Sequence, residues 1–161
     1  MELGIQNLKE YFKKITKGVY SPSENEDILK NILRCAAKAI EQFNKHAIHD
    51  DIKSRNFVIT DENDLNSIKL IDFNLSKLID QNTTTVFTAD IRGFCFMIRS
   101  LIGNSFNHNQ NGIFERIYNG RKDISSMTAI IKFLDGECDG FNYERGYLNE
   151  DRIWCEYLND N

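Results

Sequence analysis

The apolar stripe between Ile28 and Phe43 restricts the folds open to this chain more than any other feature. Its apolar side chains recur every three or four residues: Ile28, Leu29, Ile32, Leu33, Ala36, Ala39, Ile40 and Phe43. That spacing predicts a long helix over residues 24–45 with one broad buried face. Ser23 and Glu26 have the spacing of a capping box, so we expect the helix to begin beside them.

Composition indicates one soluble globular domain. The chain has 161 residues, of which 41% are hydrophobic and 27% charged, and its net charge is −4. A basic surface for nucleic acid or for an anionic membrane is therefore not expected. The sequence has no apolar run long enough to span a membrane and no apolar leader, so we expect a cytoplasmic location. The four cysteines are far apart and lack Cys-x-x-Cys spacing, which favours free thiols.

The remaining patterns predict a mainly α fold with a small β hairpin. Asn56–Ile59 and Ile68–Ile71 have β-type composition and are separated by a polar turn, as in a hairpin. Residues 89–102 are almost continuously apolar and predict a buried helix, with Phe94, Phe96 and Met97 in the core. Shorter helices are predicted over residues 5–15, 113–118, 125–134 and 148–158.

Four polar residues near this hairpin have side chains suited to phosphoryl transfer. Asp51 and Lys53 precede the first strand, Asn56 begins it, and Asp72 closes the second. The Asp51 carboxylate could accept or orient a hydroxyl proton, while Lys53 could neutralise a transferring phosphoryl group. Asn56 and Asp72 offer the oxygen ligands that Mg²⁺ prefers. Each motif alone is typical of a polar loop or a strand end, but a hairpin can bring the two together.

In this order, the motifs resemble those of the protein kinase family. "HDDIKSRN", residues 49–56, is similar to the family's catalytic loop H-R-D-x-K-x-x-N, and "DFN", residues 72–74, to its D-F-G motif. The resemblance implies that Asp51 and Lys53 are catalytic and that Asn56 and Asp72 bind magnesium. It implies structural roles for His49, which stacks with Phe73, and for Asp90, which holds the backbone of the catalytic loop. Lys53 matches the serine/threonine type, so the implied substrate is a protein hydroxyl.

The resemblance also divides the chain into segments. The start "MELGIQNLKEYF" is similar to the kinase hinge and the helix after it, with Met1 at the gatekeeper position. It implies that ATP meets the main chain of Glu2 and Gly4 and that its adenine rests on Val58. The implied segments are a hinge and helix (1–15), a long helix (24–45), the catalytic loop and hairpin (46–74), a short activation segment (75–88), a buried helix (89–102) and divergent helices (103–161).

The sequence departs from the family pattern in three ways. The given sequence begins at the hinge and contains no G-x-G-x-x-G, so the resemblance implies a C-terminal lobe without an N-terminal lobe. Met1 could be an internal methionine of a longer protein or a true start, and a partner could supply the missing lobe. Asp72 and Asp90 are only 18 positions apart (72 to 90), which leaves a short activation segment. Asp50 occupies the position of the Arg that grips an activation-segment phosphate, so control by phosphorylation at residues 83–85 is not expected. On these grounds, autonomous turnover by this chain is not expected.

Two other functions are open at this point. The chain could be a pseudokinase, an interaction module that keeps the fold without turnover, or a small-molecule phosphotransferase of kinase-like fold, in which a short activation segment is typical. A lobe with an open cleft exposes apolar surface. We therefore expect a protein substrate, a protein partner or a homodimer contact at Leu3, Ile5, Val58 and Phe73, and neither nucleic acid nor membrane as a partner.

Overall fold

Helices dominate the computed structural model, which describes residues 6–79, 87–141 and 156–157. The α-helices in these ranges are α1 (Leu8–Ile15), α2 (Pro22–Phe43), α3 (Thr88–Ile102), α4 (Ile113–Asn119) and α5 (Met127–Leu134). The strands are β1 (Gln6–Asn7), β2 (Ala47–Ile48), β3 (Phe57–Ile59), β4 (Ile68–Leu70), β5 (Lys77–Leu78), β6 (Cys138–Gly140) and β7 (Glu156–Tyr157). The predicted mainly helical α+β class is confirmed.

Helix α2 forms where the apolar stripe predicts it, but its start differs. It begins at Pro22, whose fixed φ suits the first helical position. Ser21 is the N-cap residue, and its backbone N–H donates to Asn25 Oδ1 at 2.9 Å. The predicted capping box of Ser23 and Glu26 is therefore wrong, because both residues already lie inside the helix.

The core surrounds α2. The predicted stripe is buried at its centre, with Leu29, Ile32, Leu33, Ala36 and Ile40 fully inaccessible to solvent. This face packs against α5, α3 and β4. Burial of side chains of this size stabilises a fold by about 1.5–3 kcal/mol each, which makes α2 the central element of the domain.

Helix α3 is confirmed as a core helix, with one exception among its predicted core residues. Phe94 and Met97 are buried, but the side chain of Phe96 is 46% exposed. Its ring packs edge-on against Tyr118 of α4, with the ring centroids 5.8 Å apart. The prediction for Phe96 is wrong because a nearly continuous apolar run does not reveal which helix face points outward.

The predicted hairpin is confirmed as β3 and β4, which pair antiparallel with Val58 opposite Lys69. The sequence did not predict β1, which pairs with the other edge of β3, or the β2–β5 pair. Two-residue strands are too short to show an alternating pattern. They matter here because β2 and β5 flank the candidate site.

The C-terminal part differs from the prediction. Glu156–Tyr157 is a strand that pairs with β6, so the helix predicted over residues 148–158 is wrong at these two positions. The rest of that range lies outside the described residues, as do residues 1–5, 80–86 and Cys155. Among the residues that are described, no helix is long and apolar enough to cross a membrane.

Candidate functional site

The Asp51 loop, residues 49–56, connects β2 to β3 and ends in a 3₁₀ turn, Ser54–Asn56. Within it, Lys53 Nζ lies 2.9 Å from Asp51 Oδ2. Asn56 Nδ2 donates to the same oxygen at 3.0 Å and to the Asp51 carbonyl at 2.8 Å. The structure thus brings together three of the residues that the sequence singled out.

These contacts favour the ionised form of the Asp51 carboxylate and engage only one of its two oxygen atoms. The hydrogen bond from Lys53, and secondarily that from Asn56, lowers the pKa of the Asp51 carboxyl below its ordinary value. Both bonds use Oδ2, and no described residue donates to Oδ1. Oδ1 is therefore free to accept a proton or a hydrogen bond from a hydroxyl group.

Asp72 directly follows Ile71, whose backbone forms a hydrogen bond with the end of the Asp51 loop. The Ile71 N–H donates to the Asn56 carbonyl at 2.8 Å, which places residues 56 and 72 at the same end of the hairpin. Asp72 is exposed and has φ +61°, a left-handed backbone that Asp tolerates better than most residues. The Asn74 N–H donates to its Oδ1 at 3.4 Å.

The donor set fits Mg²⁺ that arrives with a phosphate ligand. Because Asn56 donates through Nδ2, its Oδ1 remains as an oxygen ligand, and Asp72 adds a carboxylate. No group of three or more His, Cys, Asp or Glu side chains suited to a metal occurs within the described ranges. Mg²⁺ commonly takes only one or two protein ligands and completes its octahedron with phosphates and water.

The backbone of the Asp51 loop is held from behind by Asp90, in the first turn of α3. This carboxylate is fully buried. Its Oδ2 accepts from the His49 N–H at 2.9 Å and from Asn44 Nδ2 at 2.8 Å, and its Oδ1 accepts from the Asp50 N–H at 2.8 Å. The Asn44 amide was not predicted; its only sequence signal is a polar residue directly after the apolar stripe.

Helix α3 also approaches the loop closely at Gly93. A Cβ at this position would lie 3.0 Å from both the Cβ and the carbonyl oxygen of Ile52. Glycine is therefore favoured here by the packing distance rather than by backbone angles. Asp90 and Gly93 together fix the loop against the start of α3.

His49 and Phe73 lie in one aromatic cluster with Phe43, the last residue of α2. The Phe43 and Phe73 rings stack with centroids 5.1 Å apart, and His49 meets Phe73 edge-on at 5.8 Å. The buried His49 accepts from the Asp51 N–H through Nδ1 at 3.3 Å, so its Nε2–H donates to the Ile71 carbonyl at 3.0 Å. The His49 ring thus connects the Asp51 loop to Ile71, the residue after β4.

Asp50 has a partner that the sequence did not predict. Lys77 Nζ of β5 lies 2.8 Å from Asp50 Oδ2, and Asp50 raises the pKa of the Lys77 ammonium. Ser76 Oγ also donates to the His49 carbonyl at 3.4 Å. These contacts hold the segment after Asp72 beside the Asp51 loop without any added phosphate.

The same segment is unusually apolar for an exposed part of the chain. We define the apolar segment as Ile71, Phe73, Leu75 and Leu78, whose side chains are between 37% and 89% exposed. Val58, predicted to contact adenine, is half-buried in β3 between Asn7 and Lys69. Met1, Glu2, Leu3, Gly4 and Ile5 lie outside the described residues, so the structure does not bear on their predicted roles.

Neither a protein-family model nor a curated protein sequence matches this chain. Its function is therefore argued from the geometry of the Asp51 loop and the hairpin end.

Proposed function

We propose that this chain is a serine/threonine protein kinase-like domain that binds ATP with Mg²⁺ and directs phosphoryl transfer to a protein hydroxyl. One observation supports the proposal most: the Asp51 carboxylate accepts from Lys53 and Asn56 through Oδ2 alone, and the Ile71–Asn56 backbone bond places Asn56 and Asp72, two side chains with oxygen atoms suited to Mg²⁺, at the same end of the hairpin. Phosphoryl transfer depends mostly on positioning and charge stabilisation, and this arrangement offers both.

Each side chain has a distinct role under this proposal. Asp51 Oδ1 accepts the proton of the attacking hydroxyl, and the Lys53 ammonium, 2.9 Å from the other oxygen, stabilises negative charge that develops beside it. Asn56 Oδ1 and Asp72 would hold the Mg²⁺ of MgATP. The ATP would supply its terminal phosphoryl group to the hydroxyl oxygen and leave as ADP, and the Mg²⁺ would neutralise charge on the phosphates. The adenine rests on Val58 and on the main chain of Glu2 and Gly4.

Asp90 acts as a positioning residue in this reaction. It touches neither the hydroxyl nor the nucleotide, but it fixes two consecutive amides directly before Asp51. Placement of a catalytic group within a fraction of an ångström matters because misplacement by about 1 Å can reduce a rate about a hundredfold.

A thermal melt titrated with ATP and Mg²⁺ tests the proposal. Ligand at about 100 times its Kd stabilises a protein by about 2.7 kcal/mol, an easily measured shift. We expect a Mg²⁺-dependent shift that Asp72→Asn abolishes. The control Asp27→Asn removes an exposed carboxylate that has no hydrogen bond in the described part of the chain, and it should keep the shift.

Asp51→Asn separates binding from chemistry. Asp51 contacts neither nucleotide nor metal in the proposed arrangement, so this variant should keep the MgATP shift. Any phosphoryl transfer to a serine-containing protein that the unsubstituted chain supports, alone or with a partner, should be lost. No shift in the unsubstituted chain at millimolar ATP would overturn the proposal. An equal shift in Asp72→Asn would overturn the assigned metal site.

A second function, an interaction module without turnover, is favoured by the apolar segment. Its four side chains form exposed surface beside the site, and such surface commonly binds a protein. If this function is the main one, light scattering should show a dimer or a partner complex that Phe73→Ser weakens, while MgATP gives no thermal shift. A monomer at high concentration would argue against self-association.

A further inference from the structure

A basic pocket lies between α1 and the end of the Asp51 loop. It has a volume of about 410 Å³ and is lined by Asn7, Lys9, Glu10, Lys13 and Arg55. Lys9 and Lys13 are four positions apart on α1, so they project from the same helix face. Arg55 comes from the 3₁₀ turn, against which α1 packs.

The three cations of this pocket have no partner in the part of the chain that the structure describes. Within the described ranges, none of Lys9, Lys13 and Arg55 has a side-chain hydrogen bond or an ion pair. By contrast, Lys14 on the same helix contacts Glu62 at 3.0 Å. Of the described residues that line the pocket, only Glu10 is acidic, and its side chain makes no ion pair with another described residue. The pocket therefore carries a local positive charge on a chain whose net charge is −4.

One residue of the pocket, Arg55, is adjacent in sequence to the proposed reaction site. Arg55 precedes Asn56, which donates to the Asp51 carboxylate at 3.0 Å. Asp51 and Arg55 lie four positions apart on the same loop, so a polypeptide whose hydroxyl reaches Asp51 Oδ1 can also contact Arg55. Arg55 can bind a carboxylate through two parallel N–H bonds, and the two lysines add point charges.

We propose that this pocket binds an Asp or Glu side chain of the polypeptide substrate and selects acceptor hydroxyls that lie near acidic residues. The inference rests on the proposed function and names its substrate class. Three cations on a net acidic chain suit one or two carboxylates, whereas tight binding of nucleic acid uses a longer series of phosphate contacts.

The test measures binding of labelled peptides by fluorescence anisotropy, separately from activity. Three peptides share a serine and differ in their flanking residues, which are Asp and Glu, Asn and Gln, or Lys. The proteins are the unsubstituted chain, Lys9→Glu/Lys13→Glu, Arg55→Glu, and the control Lys38→Glu/Lys122→Glu. The control reverses two exposed lysines elsewhere and gives the same net charge as the double pocket variant.

We expect the acidic peptide to bind the unsubstituted chain and the control, and to lose about tenfold or more in affinity with each pocket variant. Binding should weaken with added salt, and the MgATP thermal shift should stay unchanged in all four proteins. Equal affinity for all variants, or no preference for the acidic peptide, would overturn this inference while the MgATP shift stands.

Two further outcomes separate this inference from the function on which it rests. If none of the four proteins shows a MgATP shift but the acidic peptide still binds in a pocket-dependent way, the proposed function is overturned. The pocket then remains an anion-binding site without the substrate role. Tighter pocket-dependent binding of a single-stranded oligonucleotide than of the acidic peptide would overturn the assignment of a polypeptide ligand.

Discussion

The two sides of the candidate site are held in different ways. The Asp51 loop is fixed by a fully buried carboxylate, Asp90, which accepts from two consecutive backbone amides. The segment from Asp72 to Leu78 is mostly exposed. It is held by a stacked ring, a surface ion pair, one long hydrogen bond from Ser76 and the two-residue pairing of β5 with β2. Buried polar networks resist disruption, whereas exposed ion pairs contribute little. The proposed base is therefore the fixed side of the site, and the proposed metal ligand Asp72 is the side that can adjust.

The largest effect should come from removal of the buried carboxylate. Asp90→Ala leaves the His49 and Asp50 amides without their acceptor and removes one of the two hydrogen bonds of Asn44 Nδ2, which still donates to the Ala47 carbonyl. We therefore expect a loss of about 3–5 kcal/mol in the free energy of unfolding. Urea denaturation measures it. The control Glu24→Ala removes an exposed acid, likewise from the first turn of a helix, and should cost less than about 1 kcal/mol. Similar losses in both variants would show that Asp90 acts only through the helix dipole.

A smaller loss is expected when the close approach of α3 to the loop is disturbed. Gly93→Ala gains up to about 1 kcal/mol in helix propensity, but its Cβ would lie 3.0 Å from the Ile52 carbonyl oxygen. Overpacking of this kind costs about 1–3 kcal/mol, so we expect a net loss of about 1 kcal/mol. The same denaturation experiment should show no loss for Ser100→Ala, an exposed position on the same helix. If Gly93→Ala is more stable than the unsubstituted chain, Ile52 and its loop can move away from α3 at little cost in free energy.

The smallest effect should come from the exposed side. Lys77→Met removes the ion pair with Asp50, and we expect no resolved change in melting temperature at pH 7 in 0.15 M salt. Asp50 raises the pKa of Lys77, so any contribution is present below the ordinary lysine pKa and disappears as the pH rises through the raised value. A clear drop in melting temperature at pH 7 would show that the segment from Asp72 to Leu78 is held more firmly than a surface ion pair allows, contrary to the comparison with the Asp51 loop.

Long-range periodicity and local motifs predicted much of this molecule from sequence. The stripe of α2 and the β3–β4 hairpin were recognisable because many residues repeat the same signal. The sequence could predict that Asp51, Lys53 and Asn56 lie close together because only five positions separate the first from the last. Asp72 required the hairpin register, which follows from the pairing of the two apolar runs.

The parts that sequence did not predict depend on tertiary contacts. Asn44 and Lys77 are ordinary polar residues until the fold places them against Asp90 and Asp50. The outward orientation of Phe96 depends on which face of α3 meets the core. The start of α2 was misplaced by a capping pattern that competed with a proline one position earlier, and the fixed φ of proline prevailed.

The contact between Gly93 and Ile52 has a consequence for how this chain can diverge in evolution. Much of the surface of α3 can change freely, but a side chain at position 93 would displace the loop that carries Asp51, and a change at position 90 would release it. We expect distant relatives to retain an Asp and a Gly three positions apart at the start of this helix, even where the surrounding apolar residues have been replaced. That pair is a more selective search pattern than the hydrophobic run that contains it.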